Sequence, residues 1–315
     1  MAEFSEAPSR RQRTTHSRRQ RTTNSGGDDN GDRISQLPDV LLLQILSLLS
    51  TKQAVATGIL SKRWRLLWPS VSLLDFDDES SSGSRGGTGF AGFVNSVLLR
   101  HDAPTVELFR LRCANPDSSG EVPTWLCHMV RRGVEHVEVL LSLSRYVALP
   151  RSLFNCGTLT VLKLDGVFLN TLSSFSVSLP AIRVLHVGDR VLFGCHDYVV
   201  KLLAGCPVLE DLVLQSTYKD ACGGVFCTDG NIVLNLNHLE RAKLGFSWKK
   251  RCFKSMVLVF QALYNVSYLS LSDTAVGVPQ LSTLCFCSLN LKKLLYMCGF
   301  DLHVKLAGHS EFNST

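Results

Sequence analysis

A short apolar pattern recurs throughout the chain beyond residue 100 and limits the folds that the chain can adopt. The pattern reads apolar-x-x-apolar-x-apolar, and its successive starting points are Val106, Val134, Leu159, Ile182, Leu209, Leu239, Val266 and Leu291. Side chains of a strand alternate between two faces, so the fourth and sixth positions predict a buried strand face, with the first position buried as well. Each unit therefore predicts one short strand with one face in a core.

The spacing of these strands indicates the kind of array that they build. The intervals are 28, 25, 23, 27, 30, 27 and 25 residues, which fits the period of roughly 20 to 29 residues of a leucine-rich repeat. Helical patterns fall between strands, notably at Asp197 to Ala204 and Met256 to Tyr264. We therefore predict an α/β solenoid with an irregular array of about eight repeats over residues 101–300.

The third and fifth positions of each unit are expected to face solvent on the concave side of the array. They mix charges with aliphatic residues, which is more typical of a protein-binding surface than of a phosphate-binding one. Any single one of them can equally be a solvated strand residue without a partner. The candidate substrate-binding residues on this face are His136, Lys163, His186, Asp211, Lys243 and Tyr268.

A dense aliphatic segment precedes the repeats, from Ile34 to Trp68. Leu37-Pro38 opens a helix that is apolar nearly all round, and Thr51 and Ser61 are plausible caps for two further short helices. Three short helices cannot cover this much apolar surface among themselves. The segment is therefore either part of a buried core or a unit that presents an apolar face to a partner.

The same segment resembles the F-box of the plant F-box/leucine-rich-repeat proteins, in the F-box/FBD/LRR family, across its whole length. Leu73-Leu-Asp-Phe-Asp-Asp78 and Leu149 to Cys156 also resemble that family. The resemblance implies a three-helix F-box over residues 33–70 that binds a Skp-type adaptor, and through it cullin and RING subunits. The residues implied to form or support the adaptor-binding surface are Leu37, Pro38, Leu41, Ile45, Leu46, Val55, Leu60 and Trp64.

Two residues depart from the family pattern. Ser50 stands where proline is frequent, and Gly58 stands where a better helix former is usual, at a cost of about 1 kcal/mol if it is in mid-helix. The family also commonly continues into a C-terminal FBD domain, for which the 315 residues leave no room, so we expect a short member or a truncated product. Weakened rather than abolished adaptor binding is the expectation.

The remaining segments are an arginine-rich tail over residues 1–32, a linker with a Gly/Ser-rich loop over 71–100, and a C-terminal tail over 301–315. Six arginines against two glutamates give residues 1–25 a charge of +4, out of +6 for the whole chain. The folded part is thus nearly neutral, which argues against nucleic acid as its partner. The tail is either an import signal or a solvated tail, and the expected location is the nucleus, the cytoplasm or both.

The sequence contains no recognisable catalytic, cofactor or metal motif. A G-x-S-x-G elbow, a P-loop and H-E-x-x-H are absent, the nine histidines have no i, i+4 partner, and none of the eleven cysteines forms a C-x-x-C pair. Cys156 and Cys206 fit small buried positions better than metal ligands. No apolar run approaches the roughly 20 residues of a membrane span. We therefore predict a non-catalytic protein with reduced thiols, no cofactor and no membrane partner.

These observations predict a substrate-recognition subunit of a Skp-cullin-F-box ubiquitin ligase, which binds the adaptor through the F-box and a target protein of unknown identity through the repeats. The alternative is a leucine-rich-repeat scaffold or inhibitor outside any ligase, with a degenerate F-box. A third possibility is a nucleic-acid binder that acts through its arginine tail.

Overall fold

The computed structural model describes the chain over a set of ranges with gaps between them. These are residues 34, 36–78, 89–114, 118–142, 146–169, 172, 175–195, 197–215, 217–218, 232–245, 253–271 and 302–305. The chain divides into two units, Met1–Pro38 and Asp39–Thr315. In the first unit, the Leu37 N–H donates to the Ile34 carbonyl at 3.1 Å. All helices and strands below belong to the second unit.

Three short helices come first, α1 (Asp39–Ser47), α2 (Thr51–Ala56) and α3 (Lys62–Leu67). They form the helical unit, residues 39–70. Four further helices in the described ranges lie between strands of a sheet, namely α4 (Phe90–Arg100), α5 (Val122–Arg131), α6 (Asp197–Ala204) and α7 (Phe253–Gln261). No helix in the described ranges is long and apolar enough to cross a membrane.

Side-chain caps set the boundaries of the short helices. Ser50 caps α2, because its hydroxyl accepts from the Gln53 N–H while the Gln53 side chain accepts from the Ser50 N–H, a reciprocal capping box. The cap predicted at Thr51 was therefore one residue late. Ser61 caps α3 as predicted, by accepting from the Trp64 N–H.

The thirteen strands that the described ranges contain are distributed over two sheets. The nine strands of the larger sheet lie in the order β1 (Leu73–Asp77), β2 (Leu108–Cys113), β3 (His136–Leu141), β5 (Val161–Asp165), β7 (Val184–Val187), β9 (Asp211–Leu214), β11 (Arg241–Leu244), β12 (Tyr268–Leu271) and β13 (Leu302–Lys305). All neighbours are parallel except β12 and β13, which are antiparallel. The sheet is open, with β1 and β13 at its edges.

A smaller sheet of four short parallel strands runs alongside the larger one. Its strands are β4 (Val147–Ala148), β6 (Val167–Leu169), β8 (Leu192–Phe193) and β10 (Thr217–Tyr218), and each follows one strand of the larger sheet in the chain. The sequence analysis did not predict this second sheet. The turn from β5 into β6 needs Gly166, whose φ is +71° and where an added Cβ would lie within van der Waals overlap of the Leu141 carbonyl.

Burial alternates along the larger sheet as the apolar pattern predicts. In β3, Val137 and Val139 are buried while His136 and Glu138 are only partly covered, and the first residue of that unit, Val134, is buried too. The same alternation holds in β2, β5, β7, β9 and β11. In β12, however, Ser270 at the fifth position is buried, although the pattern predicted that it faces solvent.

The pattern also begins once before the predicted array, at Val71, and this unit was overlooked. Val71, Leu74 and Phe76 occupy its first, fourth and sixth positions and are all buried, and the strand they define is β1. The segment 71–100, predicted as a linker, therefore contributes β1 and α4 to the fold. The eighth predicted unit, Leu291 to Tyr296, lies outside the described residues, whereas β13 falls inside the segment predicted as a C-terminal tail.

The helical unit closes one edge of the larger sheet. Thr51 at the start of α2 is buried, and its hydroxyl oxygen accepts from the Asp75 N–H of the edge strand β1 at 2.7 Å. An open strand edge presents unpaired N–H and C=O groups, and covering it with a helix is one of the ways by which proteins protect such edges. The helical unit and the sheet are thus joined by a buried hydrogen bond as well as by the chain.

Candidate functional site

Exposed aliphatic side chains are concentrated in the helical unit. Seven large apolar residues there are exposed, against four in the rest of the second unit's described residues. The seven are Val40, Leu41, Ile45, Leu48, Ile59, Leu60 and Leu66. Val40 is 67% exposed, Leu48 85% and Ile59 89%. Such a concentration on a small unit is typical of an interaction surface.

Helix α1 shows how this surface arises. Leu42 and Leu46, one helical turn apart, are fully buried, whereas Leu41 and Ile45 are exposed. A helix that is apolar nearly all round therefore buries one stripe and leaves another in solvent. Arg63 of α3 holds α1 in place, since its Nε donates to the Asp39 carboxylate at 2.7 Å.

The predicted adaptor-binding residues fall into distinct groups in the structure. Leu41, Ile45 and Leu60 are exposed, and Val55 is half-buried. Leu46 and Trp64 are buried, so their part can only be to support the surface from beneath. In the first unit, Pro38 is exposed and Leu37 is half-buried.

A second candidate surface is the solvent-facing side of the larger sheet, called the strand face below. The third positions form one row across it and the fifth positions form another. The third-position row, from β1 to β12, is Leu73, Leu108, His136, Val161, Val184, Asp211, Arg241 and Tyr268. The fifth-position row is Asp75, Arg110, Glu138, Lys163, His186, Val213, Lys243 and Ser270.

All six predicted substrate-binding residues thus lie on the strand face. His136, Asp211 and Tyr268 belong to the third-position row. Lys163, His186 and Lys243 belong to the fifth-position row. Lys163 and His186 are direct cross-strand neighbours, whereas Lys243 lies two strands beyond His186, and Tyr268 lies on β12.

Cross-strand ion pairs occupy the first strands of this face. Arg110 of β2 donates from Nε to Glu138 of β3 at 3.0 Å and from Nη1 to Asp75 of β1 at 3.4 Å. Burial by itself would lower the pKa of Arg110, but the hydrogen bond and charge of Glu138, aided by Asp75, raise it overall. Burial would likewise raise the pKa of Glu138, and Arg110 reverses this, so that its pKa is lowered. This network holds its charges in register across three strands.

Two histidines flank the centre of the strand face. Burial is the main reason why the pKa values of His136 and His186 are lowered, and the positive charge of Lys163 lowers both further. Asp211 opposes this effect at His186, since its Oδ1 lies 3.7 Å from the His186 Nε2. Asp211 also pairs with Arg241 of the next strand, at 2.8 Å.

Sequence reasoning missed Asp75 as a member of this face, because β1 was assigned to a linker. The signal was present in Val71-x-x-Leu74-x-Phe76, which starts 35 residues before Val106, a longer interval than those within the predicted array. The ion pairs of Arg110 could not be anticipated without knowing which strands are neighbours.

The described cysteines and acidic groups do not form a metal site. The described ranges contain no cluster of three or more His, Cys, Asp or Glu side chains that could hold a metal ion. Cys156 and Cys206 are buried free thiols, as their small-residue positions predicted. Burial raises the pKa of the Cys206 thiol to about 12, so it stays protonated at neutral pH.

Comparison with protein families identifies both regions. Residues 34–76 match the F-box domain model, which spans the helical unit and most of β1. Residues 122–224 match the model "FBD-associated F-box protein At5g56370, LRR repeats", which spans α5 through β10.

Similar full-length proteins come from Arabidopsis thaliana. F-box/LRR-repeat protein At4g14103 is 34% identical over 252 residues, which are 78% of this chain and 63% of that protein. F-box/FBD/LRR-repeat protein At5g56420 is 31% identical over 283 residues, 81% of this chain and 65% of that protein. F-box/FBD/LRR-repeat protein At3g51530 is 41% identical over 188 residues, 58% of this chain and 39% of that protein. The chain thus spans less than two thirds of the length of these relatives.

Proposed function

The chain belongs to the plant F-box/leucine-rich-repeat proteins, and from this premise we propose that it is the substrate-recognition subunit of a Skp-cullin-F-box ubiquitin ligase. In this role the helical unit binds a Skp-type adaptor, which connects the chain to cullin and RING subunits. The strand face binds the target protein. Ubiquitin transfer is carried out by other subunits, so the chain itself is not an enzyme.

The observation that carries this proposal is the exposed aliphatic set of the helical unit. Seven large apolar side chains lie in solvent there, although the core residues beneath them, such as Leu42 and Leu46, are fully buried. Covering apolar surface is favourable by about 25 cal/mol for each Å² removed from water. A partner with an apolar groove is therefore the chemistry that fits this surface.

The junction between the two surfaces supports the same role. Thr51 ties α2 to the edge strand β1, and Ser70 Oγ donates to the Asp102 carboxylate at 2.9 Å. The helical unit is thereby fixed against the sheet instead of hanging on a flexible tether. A fixed geometry raises the effective concentration of a bound target near the site of ubiquitin transfer, provided that the two sites can be reached together.

For the repeat region, we propose that the strands of the larger sheet are successive turns of a leucine-rich-repeat solenoid with about eight units. The parallel register, the short second strand that follows each of β3, β5, β7 and β9, and the family match support this reading. The target would then bind along the strand face, where His136, Lys163, His186, Asp211, Lys243 and Tyr268 lie. The cell compartments proposed for this function are the nucleus, the cytoplasm or both.

The alternative, a scaffold or inhibitor with a degenerate F-box, was suggested by the two departures from the family pattern, at Ser50 and Gly58. In the structure Ser50 provides the capping box of α2, and Gly58 lies in a 3-10 turn, Thr57–Ile59, between α2 and α3. The three atoms nearest to a Cβ added at Gly58 would all belong to Arg65, at 3.5 Å or more, which is ordinary van der Waals contact. Neither departure disturbs the helical unit.

The experiment measures the affinity of the full chain for a purified plant Skp-type adaptor by biolayer interferometry. Leu48→Asp with Ile59→Asp places two charges in the exposed aliphatic set. We expect a loss of about 30-fold or more, as for hot-spot residues worth at least about 2 kcal/mol. The matched control is Leu99→Asp on α4, which is 87% exposed but lies outside the helical unit.

The control variant should bind the adaptor as the wild type does. Circular dichroism and urea unfolding establish that all three proteins are folded. A folded wild-type chain that fails to bind the adaptor would overturn the proposal, and so would an unchanged affinity in the double variant.

A further inference from the structure

The centre of the strand face contains a cation that its surroundings leave unpaired. Lys163 of β5 lies between Glu138 of β3 and His186 of β7 in the fifth-position row. Glu138 is engaged by Arg110 at 3.0 Å. Within the described ranges, the Lys163 ammonium has no ion pair within 4 Å and no hydrogen bond. Its positive charge nevertheless acts on Glu138, His136 and His186, so all four groups lie close together.

The two histidines beside Lys163 also have unsatisfied ring nitrogens. Nε2 of His136 and Nε2 of His186 are shielded from solvent and have no hydrogen-bond partner among the described residues. The 3.7 Å between His186 Nε2 and Asp211 Oδ1 is too long for a hydrogen bond. A buried polar atom without a partner is costly, typically by about 1 to 3 kcal/mol, and needs an explanation.

The charges on either side of this centre are already matched. Toward β1, Arg110 bridges Glu138 and Asp75, and toward β11, Asp211 pairs with Arg241. The centre differs because Lys163 has no paired anion among the described residues, and the carboxylates that act on the two imidazoles, Glu138 and Asp211, are already engaged by Arg110 and Arg241. Two half-buried valines of the third-position row, Val161 and Val184, lie on the strands of Lys163 and His186 and give the centre an apolar border.

From this arrangement we propose that Lys163, His136 and His186 form a carboxylate-recognition site for an acidic side chain of the target protein. This inference rests on the proposed function, since it names the chemistry of the segment that the strand face would capture. Neighbouring strands are about 4.8 Å apart, so one carboxylate can accept from the Lys163 ammonium and from an imidazole N–H on an adjacent strand.

Binding of a carboxylate at this site is coupled to proton uptake by the two histidines. His136 faces Lys163, Arg110 and Glu138, while His186 faces Lys163, Arg241 and Asp211, and the two imidazoles are held neutral by burial and by the neighbouring cations. A carboxylate placed among them favours the protonated imidazole and raises its pKa. The complex therefore takes up protons, and the affinity for an acidic segment increases as the pH falls toward the ordinary histidine value of 6.5 and below it.

The experiment uses the full chain and a fluorescein-labelled decapeptide of alternating glutamate and glycine, with the glutamine version of the peptide as the uncharged probe. Fluorescence anisotropy measures both affinities. We expect the glutamate peptide to bind more tightly than the glutamine peptide. Lys163→Gln should weaken the affinity for the glutamate peptide about tenfold, as the loss of one charge-assisted hydrogen bond implies. Lys163→Arg keeps the charge and should retain most of the affinity.

The matched control is Arg100→Gln, which removes one positive charge from the exposed end of α4, outside the strand face, and should weaken the affinity for the glutamate peptide by no more than about twofold. Histidine ring resonances, assigned with His136→Gln and His186→Gln, provide a second readout. On addition of the glutamate peptide, the pKa values of both histidines should rise in the wild type and stay unchanged in Lys163→Gln.

Equal affinities for the two peptides, or equal losses in Lys163→Gln and Arg100→Gln, would overturn the proposal. Inorganic phosphate is the third probe, and histidine shifts caused by phosphate but not by the glutamate peptide would assign the site to a small free anion instead. Adaptor affinity, measured on the same preparations, separates this proposal from the ligase role. A chain that binds the adaptor but not the peptide contradicts only the carboxylate site, whereas the reverse contradicts only the ligase.

Discussion

The helical unit and the strand face use opposite chemistry to present a surface to a partner. In the helical unit seven large aliphatic side chains are exposed, among them Leu48 and Ile59, and such side chains carry no polar group that could pair with a neighbour. On the strand face most charged groups are already paired across strands, as Arg110 is with Glu138. An apolar surface gains binding energy from its whole area, whereas a surface of paired charges depends on the few groups that remain unpaired.

This difference indicates which substitutions matter in each region. In the helical unit, many single aliphatic residues should each contribute to binding a partner. On the strand face, substitution of an already paired residue mainly disturbs its neighbours, while Lys163 can be changed without breaking a hydrogen bond or an ion pair within the described ranges. Selectivity for a target is therefore expected to depend on a small number of strand-face residues.

The largest expected effect is the loss of stability when a core leucine is truncated, and we expect it to be the same in both regions. Leu46 of the helical unit and Leu162 of β5 are both fully buried. The exposed Leu48 lies two residues after Leu46, and the half-buried Lys163 lies directly after Leu162. We expect Leu46→Ala and Leu162→Ala each to lower the free energy of unfolding by about 3 kcal/mol, through lost burial and a residual cavity. Urea titration followed by circular dichroism measures this loss.

The exposed neighbours are the controls for that prediction. Leu48→Ala and Lys163→Gln should change the free energy of unfolding by less than about 0.5 kcal/mol. Only Leu48→Ala should weaken adaptor binding. If Leu48→Ala destabilised the fold as strongly as Leu46→Ala, the exposed aliphatic set would be part of the core and the comparison would fail.

A smaller effect is expected at the junction of the two regions. Thr51→Val keeps the shape of the side chain but removes the oxygen that accepts from the Asp75 N–H. We expect this variant to lose about 1 to 2 kcal/mol of unfolding free energy, because a largely covered donor is left without an acceptor. Thr51→Ser retains the hydroxyl and should recover most of the loss.

Hydrogen exchange at the Asp75 amide gives a local readout of the same substitution. In Thr51→Val this amide should exchange faster, while amides in the middle of the sheet, such as that of Leu162, should keep their protection relative to the global stability. Unchanged exchange at Asp75 would mean that the edge of β1 is protected by something other than Thr51, and that the helical unit is less firmly attached than its geometry indicates.

Much of the fold could be predicted from the sequence because burial alternation is a local property of a strand. The units from Val106 to Val266 each predicted a strand that the structure contains. The unit at Val71 matched the same pattern but was assigned to a linker, because the serine- and glycine-rich residues that follow it suggested a loop. The four-stranded sheet was not predicted, since strands of two or three residues leave too few side chains for a period.

The candidate sites were likewise predictable where the property is local to one helix or strand, and not where it depends on packing between elements. The exposed position of Leu41, Ile45 and Leu60 is consistent with the surface that the family resemblance implied, whereas burial of Leu46 and Trp64 depends on how three helices pack and cannot be read from one helix. On the strand face, the sequence predicted which residues share a side. It could not predict that Glu138 pairs with Arg110 and leaves Lys163 unpaired, because side-chain pairing depends on the geometry between strands.

The smallest expected effect is a loss of stability at acidic pH. It compares a histidine at the junction of the two regions with those on the strand face. His101 is buried just after α4, its Nε2 donates to the Val71 carbonyl at 2.8 Å, and its Nδ1 has no partner among the described residues. Burial lowers the pKa of His101 despite the opposing hydrogen bond to the Val71 carbonyl, and the positive charge of Arg132 lowers it further against smaller opposition from Asp102. His136 and His186 are also lowered, mainly by burial.

A histidine with a lowered pKa in the folded state binds fewer protons than it does in the unfolded chain. Its contribution to stability is therefore complete above the unfolded value of about 6.5 and is lost as the pH falls from there through the folded pKa. We expect the urea midpoint to decrease between pH 7 and pH 5, measured by circular dichroism. His101→Gln, whose amide can still donate toward Val71, should flatten this decrease more than His136→Gln does, because His101 is the more deeply buried of the two. Equal flattening by both variants would place the acid sensitivity on the strand face as much as at the junction, and the two regions would then differ in surface chemistry but not in how they respond to protons.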